Sequence, residues 1–406
     1  MVTVLEPGGL AEPKTAAAAA ELLRAGGPPV VFTGGGTKPC PPPHSSPAPA
    51  TISTGSMTGI VFHDPLDGVA IVRAGTALAD LQAELAPHGQ WLAVDPPFVE
   101  LGATVGGIFS TNDAGPRRLA YGTMRDLVIG ATLVTGDGVV AHSGGRVIKN
   151  VAGFDLARLY CGAFGTLGLV AEIALRLHPL RHASRTVAVT CPLEEVREMT
   201  QAIRSSGLSP TAVDWHFDAR QAVAGGGGPV EAGALLARFE ERSERATAAQ
   251  AGDLLRLCEL RRVDATILEG DRELAAWAAI DGLLAGTASD LVVRAVTRPS
   301  RTPEAAGNLR QLAGAAEVEC GFVSHALVGV HTACLRGAGR AAVLAAWRSA
   351  VERLGGHVTV RRFGGEEGDF VDRWGPPPQA VALMRRLKVE LDPHDRCAPG
   401  AFVGGI

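Results

Sequence analysis

The stretch RVIKNVAGFDLARLYCGAFGTLGLV, Arg146 to Val170, holds four glycines immediately ahead of an apolar run. Glycine is placed where the backbone must turn left-handed or where something must approach it closely. The run after Gly168, GLVAEIALRLHPLR, reads as a strand that leaves at Pro179. Upstream, DLVIGATLVTGDGVVAHSGG has two apolar runs around Gly136-Asp137-Gly138 and predicts a hairpin. A Gly-rich segment that feeds a strand in a strand-rich half presents bare main chain to a ligand.

The chain towards the N-terminus fits this reading. Pro13 to Ala25 predicts a helix, with Pro13 in its first turn and Gly26-Gly27 at its end. PPVVFTGGGTK is a short strand entering a triple-glycine loop, and the Pro/Ser-rich Cys40 to Ala50 predicts a surface loop. Leucines at 78, 81 and 85 have the one-face spacing of a helix. After residue 181 strands alternate with helices, which predicts a separate α+β domain with its helices on one face. PQAVALMRRLKVELDP is an amphipathic helix near the end of the chain.

Composition excludes several functions. At 406 residues the chain is long enough for two or three compact units. A net charge of −4 gives no basic field for nucleic acid and no polybasic tail for anionic lipid. The seven cysteines are scattered and form no CxxC, which disfavours a disulfide framework, an iron–sulfur cluster or a zinc site within the chain. No signal peptide is read at the N-terminus, and no run reaches the ~20 apolar residues of a membrane span. The expected location is the cytoplasm, with attachment at the inner membrane only through partner subunits.

The glycine motifs narrow the ligand. FTGGGTK lacks the leading spacing of a phosphate-binding GxxxxGK[ST] loop, which disfavours ATP or GTP. Gly136-x-Gly138-x-x-Ala141 fits a dinucleotide fingerprint in letters but sits in a hairpin with no helix after it, so it reads as a turn. Successive amides in glycine-rich turns form concavities that hold anions without a lysine. Gly34-Gly35-Gly36-Thr37 and Thr104-Val105-Gly106-Gly107, with Ser110 and Thr111, offer two such concavities, which suits a diphosphate. Gly165-Thr166-Leu167-Gly168-Leu169 would present backbone to a flat ring. Diphosphate plus planar heterocycle is the footprint of FAD.

The order GGGTK, DPP, ATxGGxxSTNxxGPRRxxYGxxRD, GGRVIKNVAGFDLARLxxGxFGTLGLV, RLHP resembles the FAD-binding half of the vanillyl-alcohol oxidase/p-cresol methylhydroxylase (PCMH) superfamily. KNVAGFDLARL and the closing WGPPPQAVALMRRLKVELDPHDRCAPGAFVGG are most similar to the FAD-binding subunits of bacterial glycolate oxidases. The resemblance covers residues 1–180 and 370–406 strongly, and the middle is more diverged. It implies an α+β fold. Residues 1–180 would be a two-subdomain PCMH-type FAD-binding domain with a break near 55–60. Residues 181–370 would be an α+β substrate or cap domain, and 371–406 a helix and tail returning to the FAD domain.

Carried over residue by residue, the resemblance makes Gly34, Gly35, Gly36, Thr37 and Lys38 the pyrophosphate loop. Thr104, Gly106, Gly107, Ser110 and Thr111 would meet diphosphate and ribose, with Asp95 and Pro96 nearby. Gly115, Tyr121, Gly122, Arg125 and Asp126 would shape the pocket wall; Tyr121 also fits a packed core residue, and Arg125–Asp126 a structural ion pair. Gly165, Thr166, Gly168 and Val170 would line the adenine and ribityl side. Lys149 and Asn150 would either hydrogen-bond the flavin region or cap a turn. Relatives that bond flavin covalently carry a histidine or cysteine in a matching loop; here none appears before His44, so FAD is expected to be non-covalent.

For the substrate, Arg294 is placed to hold a carboxylate and equally fits a surface strand arginine. SHALVGVHTACL offers His325 and His331 but no GDGN motif, and the pair also fits packing roles; no metal is expected. No convincing catalytic base is legible. The resemblance implies a complex with a related FAD-containing catalytic subunit and an iron–sulfur subunit, acting on a small 2-hydroxy acid such as glycolate. The alternatives are a stand-alone oxidase or dehydrogenase of another hydroxy compound, and a flavin-free assembly scaffold.

Overall fold

Val30–Thr33 is a short strand of three apolar residues and a threonine, and it pairs in parallel with Ala50–Ser53, as Leu10–Ala11 does on the far side. These strands, β1 (Leu10–Ala11), β2 (Val30–Thr33) and β3 (Ala50–Ser53), form a sheet of order β1-β3-β2. The computed structural model describes residues 4–38, 48–147, 153–218, 233–364 and 371–406. The proline-rich loop with Cys40 and His44, and Lys149 with Asn150, lie outside these residues. The expected first helix runs Ala16–Arg24, and Thr15 Oγ1 caps it by accepting from Ala18 N at 3.1 Å.

The first sheet ends at Ser53, and a second starts at Ile60. Its strands are β4 (Ile60–Asp64), β5 (Val69–Arg73), β7 (Val128–Thr135), β8 (Val140–Gly144) and β9 (Gly168–Arg176), in antiparallel order β4-β5-β9-β7-β8. Between them, β6 (Gln90–Trp91) pairs with β10 (His178–Pro179). The predicted hairpin is β7–β8, closed by Gly138 N donating to Thr135 O at 2.9 Å. Strand β9 is apolar on both faces because both are covered. Val170, Ile173 and Leu175 pack with the helices Leu78–Leu85 and Val105–Thr111, whereas Leu169 and Ala171 pack with Ala19, Ala20 and Leu23. Leu78, Leu81 and Leu85 are fully buried, as their spacing predicts. The C-terminal helix Val381–Leu391 and the segment after it belong to this unit, which comprises residues 1–115, 121–180 and 376–406.

The second unit, residues 116–120 and 181–375, is built on one antiparallel sheet. Its strands are β11 (Ala183–Thr190), β12 (Ala212–Asp218), β13 (Ala234–Glu241), β14 (Ala265–Leu268), β15 (Leu291–Val296), β16 (Glu319–His325), β17 (Val330–Arg336) and β18 (His357–Arg362). The order is β14-β11-β13-β12-β16-β17-β15-β18. Alternation sorts the side chains cleanly. Val213, Trp215 and Phe217, with Leu235, Ala237 and Phe239, face the helices Val196–Ser205, Glu244–Leu260, Thr302–Ala315 and Arg340–Arg353. Trp347 is fully buried there and donates from Nε1 to Ala305 O at 2.9 Å.

The expectation that the helices lie on one face is corrected by Asp271–Ala285. Its Trp277, Ile280 and Leu283 cover Ala212, Leu236 and Val323, which point from the opposite face. Without that helix these apolar positions on central strands would be exposed. Trp277 Nε1 donates to Thr186 Oγ1 at 2.8 Å, and Glu273 accepts from Ser184 and Thr186, so the second face is partly polar by construction.

His331 sits within the apolar face, between Thr297 Oγ1 at 2.8 Å and Ser324 Oγ at 2.9 Å, stacked on Phe322. Burial, helped by His325, pushes its pKa down from 6.5 to about 3. The folded state holds it neutral, whereas the unfolded chain protonates it below about pH 6.5. Its contribution is therefore complete above about pH 6.5 and is lost as the pH falls towards about 3. Urea midpoints measured across this window should fall more steeply with acidification in the wild type than in His331→Gln.

Candidate functional site

Strand β2 ends at Thr33, and the chain turns through Gly34–Lys38 at the open end of its sheet. Among the described residues, the amides of Gly34, Gly35, Gly36 and Thr37 have no protein acceptor. The loop lies close to the segment before the helix Val105–Thr111: a Cβ on Gly35 would overlap the Gly102 carbonyl oxygen. Only glycine fits that approach. Thr104 begins the helix and accepts from Gly107 N at 3.2 Å. Thr111 Oγ1 donates to Gly107 O at 2.8 Å, whereas the Ser110 hydroxyl has no partner among the described residues.

The third wall comes from the stretch before β9. Its helix, Leu156–Tyr160, ends in a loop hung on the helix Val105–Thr111: Gly162 N donates to Phe109 O at 3.0 Å and Phe164 N to Ser110 O at 2.8 Å. Tyr160 donates to Leu167 O at 2.8 Å and closes the loop from below. Burial raises the Tyr160 pKa, so the phenol remains a donor. Gly168 starts β9 at φ +134°, where a Cβ would overlap Val134 O.

These segments enclose a cavity of about 390 Å³, within the range of small-molecule sites. Its lining contains Gly34, Gly35, Gly36, Thr37, Lys38, Thr104, Gly106, Gly107, Ser110, Thr111, Gly165, Gly168 and Val170. It also contains Phe32, Thr54, Phe164 and Ala398, which the sequence reading did not name as site residues. Lys38 lines the cavity with its charge already engaged: Nζ pairs with Asp113 Oδ2 at 3.2 Å, donates to Pro97 O at 2.9 Å and lies 4.8 Å from the Phe98 ring centroid. The loop thus meets an anion chiefly with amides.

The remaining expected residues are not among the lining residues. Thr166 is buried and donates to Ala163 O at 2.7 Å. Gly115 packs so tightly against the Asp95 carbonyl that a Cβ would overlap it, which gives Asp95 and Gly115 a structural contact. Tyr121 stands edge-on between Trp91 and His178. Asp126 accepts from Thr123 N and Oγ1 in a capping box, its carboxylate close under Gly122. Arg125 is exposed on that same short helix, with its amide donating to Asn112 Oδ1 at 3.2 Å. Pro96 sits between Asp95 and the Pro97 carbonyl that receives Lys38, outside the lining.

The second unit carries a separate polar cluster on the sheet face opposite its main core. Asp214 on β12 is in register with His325 on β16, and His325 Nδ1 donates to Asp214 Oδ1 at 2.8 Å. That pairing leaves Nε2 as the ring's lone-pair nitrogen. Asp214 Oδ2 and His216 Nδ1 are buried without a hydrogen-bond partner among the described residues. Burial lowers the His216 pKa against the pull of Asp214 and Asp218. Arg294 on β15 projects from this face two strands from β16, in register with Thr332. His331 faces the other way, so the two histidines do not converge, and no cluster among the described residues has the ligands for a metal ion.

The amides without acceptors, the Ser110 hydroxyl and the glycine walls are the donor set that a diphosphate and a flat heterocycle require, so the residues present fit FAD. Comparison with known proteins agrees. Residues 7–144 match the FAD binding domain family, and residues 182–402 match the C-terminal domain of FAD linked oxidases. The chain is 31% identical over 381 residues to an uncharacterized FAD-linked oxidoreductase of Mycobacterium tuberculosis, covering 87% of this chain and 81% of that one. It is 39% identical over 163 residues to glycolate oxidase subunit GlcE of Escherichia coli, which is 39% of this chain and 47% of GlcE. Over 145 residues it is 38% identical to a D-lactate dehydrogenase of Archaeoglobus fulgidus, 36% of this chain and 32% of that one. An alkyldihydroxyacetonephosphate synthase structure superposes with a TM-score of 0.71 at 16% identity, covering 96% of this chain and 75% of the other, which shows a shared fold. The chain belongs to the FAD-linked oxidase family and is an FAD-dependent oxidoreductase.

Proposed function

We propose that this chain is the FAD-binding subunit of a glycolate oxidase-like complex that oxidises a small 2-hydroxy acid. Glycolate would lose two electrons and two protons to become glyoxylate, and the electrons would pass through flavin to an iron–sulfur partner beside a related FAD-containing subunit. The observation that carries this reading is the glycine-walled cavity of the first unit, joined to the likeness to GlcE.

Bound FAD supplies the hydride acceptor; the chain's own residues bind and orient it. The Gly34–Thr37 amides and Ser110 would hold the diphosphate, with Thr104 keeping the helix start in place. Gly165, Gly168 and Val170 would carry the flat ring system. The attachment is non-covalent in this reading, since among the described lining residues none is histidine or cysteine.

A second reading has one specific observation in its favour. The His325–Asp214 pair has the build of an oriented base: the carboxylate fixes the tautomer, and Nε2 is left to take a hydroxyl proton. In that case the chain would oxidise a hydroxy acid by itself, with Arg294 as the candidate carboxylate holder.

The purified chain, assayed with glycolate and D-lactate and a dye acceptor, separates the two. The first reading predicts yellow protein with negligible turnover alone and co-purification with an iron–sulfur protein. Robust turnover alone, reduced at least about 100-fold by His325→Asn as expected for loss of a general base, would favour the second. A colourless protein that takes up no flavin would defeat both. Gly35→Ala should lower FAD retention at least about tenfold, read as the 450 nm to 280 nm absorbance ratio, because its Cβ meets backbone that cannot yield.

A further inference from the structure

The helix Val381–Leu391 is largely exposed, yet it buries one charge completely. Lys388 Nζ donates to Asp392 Oδ2 at 2.6 Å, to Cys397 O at 2.8 Å and to Thr166 O at 2.9 Å. An ammonium has three protons, and all three are spent. Asp395 adds a second carboxylate at 3.2 Å. Asp392 is engaged equally fully: Oδ1 accepts from Arg396 N at 3.1 Å, and Oδ2 from Cys397 N at 2.7 Å. The two form an i,i+4 pair at the end of this helix, but their bonds to Thr166 O, Cys397 O and the amides of Arg396 and Cys397 reach beyond it.

The two carbonyls that Lys388 receives lie beside the cavity on different stretches of chain. Thr166 follows the lining residue Gly165, and Cys397 precedes the lining residue Ala398. The segments are further joined by Phe164 against Phe402, with ring centroids 5.6 Å apart. Phe164 and Ala398 both hold left-handed backbone, φ +55° and +44°, which non-glycine residues adopt only when their surroundings enforce it. Val30 N donates to Arg396 O and Ala398 N to Val30 O, which fixes the far end of the tail to β2.

We propose that Lys388 is a positioning residue for the cofactor: its ammonium ties the loop before β9 to the C-terminal tail and so sets the spacing of two walls of the FAD cavity. This rests on the reading that the first-unit cavity holds FAD. Neutralising the ammonium frees both carbonyls together and lets the walls part, so the cofactor leaves faster although its diphosphate loop is untouched.

The test compares wild-type protein with Lys388→Met, each stripped of flavin and titrated with FAD. Far-ultraviolet circular dichroism of the flavin-free form monitors folding. The expected result is a folded variant with FAD affinity at least tenfold weaker and an altered visible circular dichroism of the bound flavin. A folded variant with wild-type affinity and wild-type visible dichroism would overturn the proposal. Should Lys388→Met fail to fold, hydrogen exchange on the wild type decides: FAD should protect residues 163–168 and 392–401 together. Protection confined to 163–168 would overturn it. Wild-type protein that binds no FAD would instead contradict the reading on which the proposal rests.

Discussion

A run of backbone amides with no acceptor among the described residues is the feature on which the first unit depends. An unmet N–H is costly when shut away from water, so folded chains avoid leaving several together. Here the chain gathers the amides of Gly34 to Thr37 at the lip of a cavity, where Gly35 packs closely against the Gly102 carbonyl. The neighbouring cation is diverted: Lys38 faces Asp113. An anion can enter without displacing a salt bridge, which suits a cofactor that must be seated by geometry more than by charge.

The second unit handles polarity differently. One face of its sheet is an apolar core with a neutral histidine at its centre, and the other face is covered by the helix Asp271–Ala285 and carries paired acids, bases and guanidinium groups. Arg117 shows the strength of these pairings. It donates to both carboxylate oxygens of Glu240, at 2.6 and 2.9 Å. Burial alone would raise the Glu240 pKa; the Arg117 bonds bring it below its ordinary value. Removing either partner of such a pair would leave the other charge buried and uncompensated.

Much of this was legible in the residues. The glycine spacing at 34–36, 104–107 and 165–168 pointed to backbone-lined walls, and most of those residues share one cavity. The leucine spacing at 78, 81 and 85 and the turn at Gly136–Gly138 appear as a helix and a hairpin. What could not be read depended on distant partners. Nothing near Lys38 announces Asp113, and nothing near Lys388 announces Thr166, 222 positions away. The Asp214–His325 pair exists only through strand register across 111 positions. The helix Asp271–Ala285 was missed because alanines dilute its apolar stripe, and its placement depends on sheet positions scattered over several strands.

The most direct measurement is an experimental structure of the chain with FAD bound. The account predicts diphosphate oxygens at about 2.9 Å from the amide nitrogens of the Gly34–Thr37 loop, with Lys38 still paired to Asp113. A diphosphate held by lysine or arginine side chains, with those amides left facing water, would contradict it.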